Sequence, residues 1–242
     1  MNKIYVVGIG PGEYEQMTIK AAKCLENCDV IVGYTVYVDL IKEYFGSAKF
    51  LSTPMKQEKE RCVLAFSEAQ KGQSVAVVCS GDSGVYGMAS LIFEIGEEYL
   101  QTKIEVISGT TAALSGGALL GAPLTHDFAV ISLSDLLTPW EKIEKRIRTA
   151  AEGDFVICIY NPSSKKRSDY LKRACELVME SKSKKTICGV VRNIGRNGEE
   201  TETMTLEELS QYQADMFTTA FIGNSETRII NDKMVTPRGY RV

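Results

Sequence analysis

The sequence predicts an α/β protein: two α/β domains with largely parallel or mixed sheets and a ligand cleft between them. Three observations carry this prediction. Runs rich in Val and Ile recur along the chain, amphipathic segments of helical period lie between most of them, and glycine-rich turns follow three of the first four runs. Strand and helix alternating in this way build sheets covered on both faces, and the runs are nearly continuous in apolar character, as buried parallel strands require.

Taken in order, the expected strands are residues 4–8, 30–32, 75–79, 104–107, 129–132, 155–160, 186–191 and 217–222, and the clearest helical segments are 18–27, 58–71, 140–151 and 165–181. Thr18 is placed to cap the first helix. Residues 197–205, with Gly198 among polar neighbours, read as a hairpin or loop. Residues 116–124 carry small side chains and Pro123 between two sets of four strands, which puts a junction there and gives domains 1–118 and 119–242. A cleft between two such domains is a favoured place for a ligand.

Composition narrows the function. With 44% hydrophobic and 24% charged residues, this is ordinary globular composition. A net charge of −3 argues against a broad nucleic-acid or anionic-membrane surface. No apolar run approaches the ~20 residues that span a bilayer, so neither a membrane nor a nucleic-acid partner is expected, and the location expected is cytoplasmic. The seven cysteines are scattered through apolar segments, which suits reduced, buried thiols. Cys24 and Cys28, four apart on a helix, either share a metal or pack; with one histidine and no Cys-x-x-Cys in the chain, no metal is expected.

The turn after the first strand, Gly8-Ile-Gly-Pro-Gly12, looks like a dinucleotide loop and fails as one. The sixth position from Gly8 is Glu13, Pro11 removes an N–H, and the acidic residue wanted after the second strand is missing. A phosphate-binding P-loop is excluded because Gly-Lys occurs nowhere. What remains is either a backbone suited to close approach by a ligand or a plain tight turn. In the second turn, Ser80-Gly-Asp-Ser-Gly84, Asp82 is placed to accept hydrogen bonds from a ribose or an ammonium group, or to cap the helix beginning near Gly87. The third turn is Ser108-Gly-Thr-Thr-Ala112. Folding needs turns at these places, but not three open glycine-rich ones gathered at the ends of one sheet.

Together with Met17-Thr18, these turns resemble the successive motifs of the tetrapyrrole, or class III, S-adenosylmethionine-dependent methylases, and the likeness covers essentially the whole chain. Residues 125–140, 159–167, 191–196 and 236–240 resemble the branch of that family that methylates C17 of precorrin-3B, or of its cobalt analogue cobalt-factor III, with ring contraction in cobalamin synthesis. The resemblance implies the tetrapyrrole methylase fold, a homodimer, and S-adenosylmethionine held folded in the cleft, leaving as S-adenosylhomocysteine. Donor contacts carried onto this sequence fall on Ile9, Pro11, Gly81, Asp82, Val85, Thr111, Ala112, Tyr160, Asn161 and Ala220.

Ring contraction requires proton movement, and the only histidine, His126, beside Asp127, is either the acid/base or a solvated loop residue. Ser132, Ser134 and Asp135 either line the same strand end or cap the helix containing Trp140. A precorrin carries many carboxylates, so cations are sought near the site. The clusters are Lys165-Lys166-Arg167, Arg192 with Arg196, and Arg238 with Arg241. The first is expected to open a helix, where the dipole disfavours cations. Ser132, Lys166, Arg192 and Arg196 are the substrate-binding candidates. The competing readings are a sibling methylase acting at C11 of precorrin-4 or on uroporphyrinogen III, the protein-modifying diphthine synthase branch, and a non-catalytic sensor of a nucleotide such as NAD or ATP.

Overall fold

The computed structural model describes residues 2–164 and 167–240. The chain forms two compact units, Met1–Thr111 and Ala112–Val242.

The first unit runs β1 (Lys3–Gly8), α1 (Ile19–Glu26), β2 (Val30–Tyr34), α2 (Thr35–Ile41), β3 (Lys49–Thr53), α3 (Glu58–Gln70), β4 (Ser74–Cys79), α4 (Ala89–Gly96) and β5 (Lys103–Ile107). Its five strands lie in the order β3-β2-β4-β1-β5, all parallel. Successive side chains point to opposite faces. Val7, Ile31, Ala76 and Val78 therefore pack with Ala21 and Leu25 of α1 on one face. Val6, Val32 and Val77 pack with Ala65 and Phe66 of α3 and Ile92 of α4 on the other. Thr18 caps α1, its hydroxyl accepting from the Ala21 N–H at 3.1 Å. Because β4, β1 and β5 are neighbours pointing the same way, the turns that leave them emerge side by side.

The second unit runs α5 (Ala112–Leu120), β6 (Gly121–Ala122), β7 (Phe128–Ser132), α6 (Trp140–Glu152), β8 (Val156–Tyr160), α7 (Tyr170–Val178), β9 (Ile187–Arg192), β10 (Glu200–Thr205), α8 (Leu206–Leu209), β11 (Thr218–Ile222), β12 (Arg228–Ile230) and β13 (Lys233–Val235). The main sheet has the order β10-β9-β11-β8-β7 and is mixed: β7 and β8 are parallel, while β11 runs against both β8 and β9, and β10 against β9. Ile143 and Ile147 of α6 and Leu171, Ala174 and Val178 of α7 fill one face. Ala113 and Leu120 of α5 meet Cys158, Val191 and Phe221 on the other. A three-stranded sheet, β12-β13-β6, completes the unit.

The helix expected from residue 165 begins at Tyr170. Arg167 thus precedes the helix, and the dipole argument made for its cluster does not apply to it; Lys165 and Lys166 lie outside the described residues. No described helix is long and apolar enough to cross a membrane.

Candidate functional site

The three glycine turns of the first unit meet backbone against backbone. Gly10 and Gly81 form an isolated bridge, Gly10 N–H donating to the Gly81 carbonyl at 3.1 Å and Gly81 N–H to the Gly10 carbonyl at 2.7 Å. Both have positive φ, 76° and 70°, where a side chain would be strained. A Cβ on Gly109 would fall 2.2 Å from the Gly81 carbonyl oxygen, and one on Gly8 would fall 2.6 Å from the Gly109 nitrogen. The approach of turns one, two and three therefore depends on glycine at each.

Asp82 joins two of these turns. One carboxylate oxygen accepts from Gly84 N–H at 2.8 Å and Val85 N–H at 3.0 Å; the other accepts from Gly109 N–H at 2.9 Å. Ser83, fully buried, donates to the carbonyl of Ile107 at 3.1 Å and ties the second turn to β5. Sequence reasoning overlooked Ser83, since nothing distinguishes it from the other small polar residues of its turn. Ile9 and Pro11 are buried, and Val85, Thr111 and Ala112 are partly exposed beside these turns. The turns contain Asp82 and neither Lys nor Arg. Such a lining suits a nucleoside that carries its own positive charge and offers no counter-charge to a pyrophosphate.

In the second unit, strand register gathers another group at one sheet edge. Ser132 pairs with Tyr160 one residue beyond the row that holds Ile159, Ala220 and Val190, and Thr218 pairs with Arg192 two residues beyond it. The Tyr160 hydroxyl accepts from Ala113 N–H at 2.6 Å, fixing the first turn of α5 against β8. Asn161 adopts a left-handed backbone, φ 52°, which an Asn tolerates. Its side-chain amide donates to Ser132 Oγ at 2.9 Å. Ala112, Ser132, Tyr160 and Asn161 thus belong to one constellation.

Other candidates stand elsewhere. His126 and Asp127 are exposed and precede the amino end of β7, whereas Ser132, Ser134 and Asp135 lie at or beyond its carboxyl end. The expectation that they share a strand end is corrected, because five extended residues separate them by roughly 16 Å. Asp135 accepts from the Tyr170 hydroxyl at 2.7 Å and lies 3.5 Å from the guanidinium of Arg167. Ala220 is fully buried, its methyl group in the core under α6 and α7. Arg192 donates to Asp215 at 2.7 Å and has Glu200 at 3.8 Å, and these partners raise its pKa, Asp215 first. The Arg196 guanidinium lies over the Phe217 ring, 5.7 Å from its centroid. Arg238 is exposed. Among the described residues no group of three metal-ligating side chains occurs, and Cys24 and Cys28 hydrogen-bond to each other.

The family model for tetrapyrrole (corrin/porphyrin) methylases matches residues 3–210. A probable cobalt-factor III C(17)-methyltransferase of Salmonella typhimurium is 46% identical over 236 residues, covering 97% of this chain and 98% of that protein. A precorrin-3B C(17)-methyltransferase of a Sinorhizobium species is 37% identical, covering 98% of this chain and 96% of that one. The crystal structure of the methyltransferase CobJ is similar with a TM-score of 0.93 at 36% identity, covering 98% of this chain and all of that one.

Proposed function

The chain belongs to the tetrapyrrole methylases, and from that premise we propose that it transfers a methyl group from S-adenosylmethionine to C17 of cobalt-factor III or its metal-free counterpart precorrin-3B, with contraction of the ring. The observation that carries this reading is the end-to-end 46% identity with a relative named for that reaction. The meeting of three glycine turns that hold an acidic residue and no cation supports the choice of donor.

The donor supplies an electrophilic methyl group through its own sulfonium charge. The protein's part is placement, which alone lowers a barrier by several kcal/mol, on the order of 7 or more in well-oriented cases. The backbone of residues 8–12, 80–85 and 109–112 holds the nucleoside, with Asp82 fixing the turns. Within the second unit, Tyr160 fixes the first turn of α5 and Asn161 holds Ser132. We assign the proton movement of ring contraction to His126 with Asp127, and the binding of substrate carboxylates to Arg196 and Arg192, the latter after displacement of Asp215 or Glu200. In this reading the protein works as a cytoplasmic homodimer, and sedimentation equilibrium tests the dimer.

Incubation with carbon-13-labelled donor and each acceptor in turn tests the reaction. Label on C17, located by NMR, is the expected result. Label on C11 assigns a sibling activity, and calorimetric binding of NAD or ATP in place of S-adenosylhomocysteine assigns a sensor. The substitution His126→Ala is expected to abolish turnover while S-adenosylhomocysteine binds as before; full turnover removes His126 from the reaction.

A further inference from the structure

Three charged side chains among the described residues are at least nine-tenths buried: Arg61, Glu68 and Lys182. Two have counter-ions. Glu68 accepts from Lys49 and Lys71, and Lys182 donates to Asp154 at 2.8 Å. Arg61, on α3 and 4% exposed, pairs with no carboxylate among the described residues. Its Nε donates to Thr53 Oγ1 at 2.9 Å, its Nη2 to the carbonyls of Pro54 at 3.1 Å and Thr53 at 3.5 Å, and its Nη1 to Met88 Sδ at 3.2 Å. The Tyr34 ring centroid is 5.9 Å from the guanidinium carbon. Every partner is neutral. A buried charge held this way is costly unless something anionic joins it.

The place indicates what joins it. Tyr34 and Thr53 end β2 and β3, and Met88 closes the turn that contains Asp82, so Arg61 lies along the carboxyl edge of the parallel sheet, the edge where such sheets bind ligands. The partner of Nη1 is its weakest, since a thioether sulfur is a poor acceptor. It is also the most easily moved, since methionine turns about three bonds. A carboxylate replacing that sulfur would meet Nη1, since Nε and Nη2 already donate to Thr53 and Pro54.

We propose that Arg61 anchors a carboxylate subsite at this edge, entered when the Met88 side chain turns aside. The occupant is a carboxylate of one of the two ligands of methyl transfer, either the amino-acid carboxylate of the donor or an acidic side chain of the macrocycle. The inference rests on the methylase reading given above.

Binding measurements on Arg61→Met test it, with S-adenosylhomocysteine, 5′-methylthioadenosine, which lacks the amino-acid carboxylate, and uroporphyrin III, a non-reacting tetrapyrrole rich in carboxylates. Loss of a charge-assisted contact weakens the affected ligand about 10- to 100-fold. If the donor fills the subsite, S-adenosylhomocysteine weakens while methylthioadenosine does not. If the macrocycle fills it, uroporphyrin weakens alone. Unchanged affinity for all three, or an equal loss for all three, overturns the proposal. Should Arg61→Met fail to fold, Met88→Glu supplies a carboxylate beside the intact arginine and is expected to cause the same selective loss; unchanged affinities there overturn it too. Wild-type protein that binds these ligands but methylates another carbon overturns the C17 assignment and leaves the subsite standing.

Discussion

At residue 82 a carboxylate that the sequence offers to a ribose or an ammonium group closes on three of the chain's own amides. An acceptor of this kind acts on a ligand through the turns it holds. In Asp82→Asn the side-chain amide loses the charge and presents an N–H₂ to one of the donors, which costs about 1.5–3 kcal/mol. The expected result is a melting temperature lowered by several degrees together with S-adenosylhomocysteine affinity reduced about tenfold or more, read by calorimetry. Lost affinity at an unchanged melting temperature would instead place the carboxylate in direct contact with the donor. The thiols separate as sharply. Burial pushes Cys79 up to about 11 and Cys62, Cys158 and Cys175 up to about 12, so these stay protonated at pH 8. Cys24 moves the other way, held below its ordinary value by the hydrogen bond from Cys28. Brief iodoacetamide treatment of native protein at pH 8, followed by mass spectrometry, is expected to label Cys24 first; uniform labelling of all seven contradicts the difference.

At the scale of elements, what the sequence disclosed were the strands with apolar runs, central ones such as β1 and β4 and also the edge strand β5. The apolar runs at 4–8, 75–79 and 104–107 became β1, β4 and β5, and their turns met as three glycine loops at one sheet end should. What escaped were elements whose pattern is set by pairing. The edge strand β3, Lys49-Phe-Leu-Ser-Thr53, has only Phe50 and Leu51 as apolar residues, between the exposed Lys49 and Ser52. The stretch 197–205, read as a hairpin or loop, forms the end of the turn and the second strand of an antiparallel β9–β10 hairpin, with β10 a polar edge strand. Charges were visible as clusters, but the carboxylate partners of Arg192, and the lack of a carboxylate for Arg61 among the described residues, are tertiary facts. A sequence signal for Arg61 existed nonetheless, since it adjoins the stripe of Cys62, Ala65 and Phe66 that α3 buries. The glycine contacts predict a graded response to alanine. Gly109→Ala drives a methyl group into the Gly81 carbonyl and is expected to destabilise by about 1–3 kcal/mol and to abolish S-adenosylhomocysteine binding. Gly46→Ala, with no atom within 4 Å of the new methyl, is expected to stay within about 0.5 kcal/mol and to bind normally. Equal behaviour of the two in denaturant titration and calorimetry would show that the turns do not depend on glycine.

Across the whole molecule, both units rely on carboxylates whose pKa values folding lowers. In the first, Asp29 is held down by hydrogen bonds from the Ser74 backbone and hydroxyl, Glu68 by Lys71 and then Lys49, and Glu105 by Lys3 and then Lys20. In the second, burial works against Asp154 and Asp215, yet Lys182 with Ser225, and Arg192 with Thr218, still leave both lowered. A group with a depressed folded pKa contributes stability above its unfolded pKa, near 4, and loses it as pH falls through the folded value. Thermal melting is therefore expected to be flat with respect to these groups from about pH 6 down to 5 and to fall steeply below about 4, without a compensating gain. The cause differs between groups, and salt separates them. Glu68 and Glu105 depend on lysine charges, which 1 M salt screens to a range of about 3 Å, whereas both donors to Asp29 are neutral. In 1 M salt the acid slope is expected to shrink but persist, and Asp29→Asn is expected to reduce the part that persists. A slope that vanishes in salt would make ion pairs its only source and would remove Asp29 from the account.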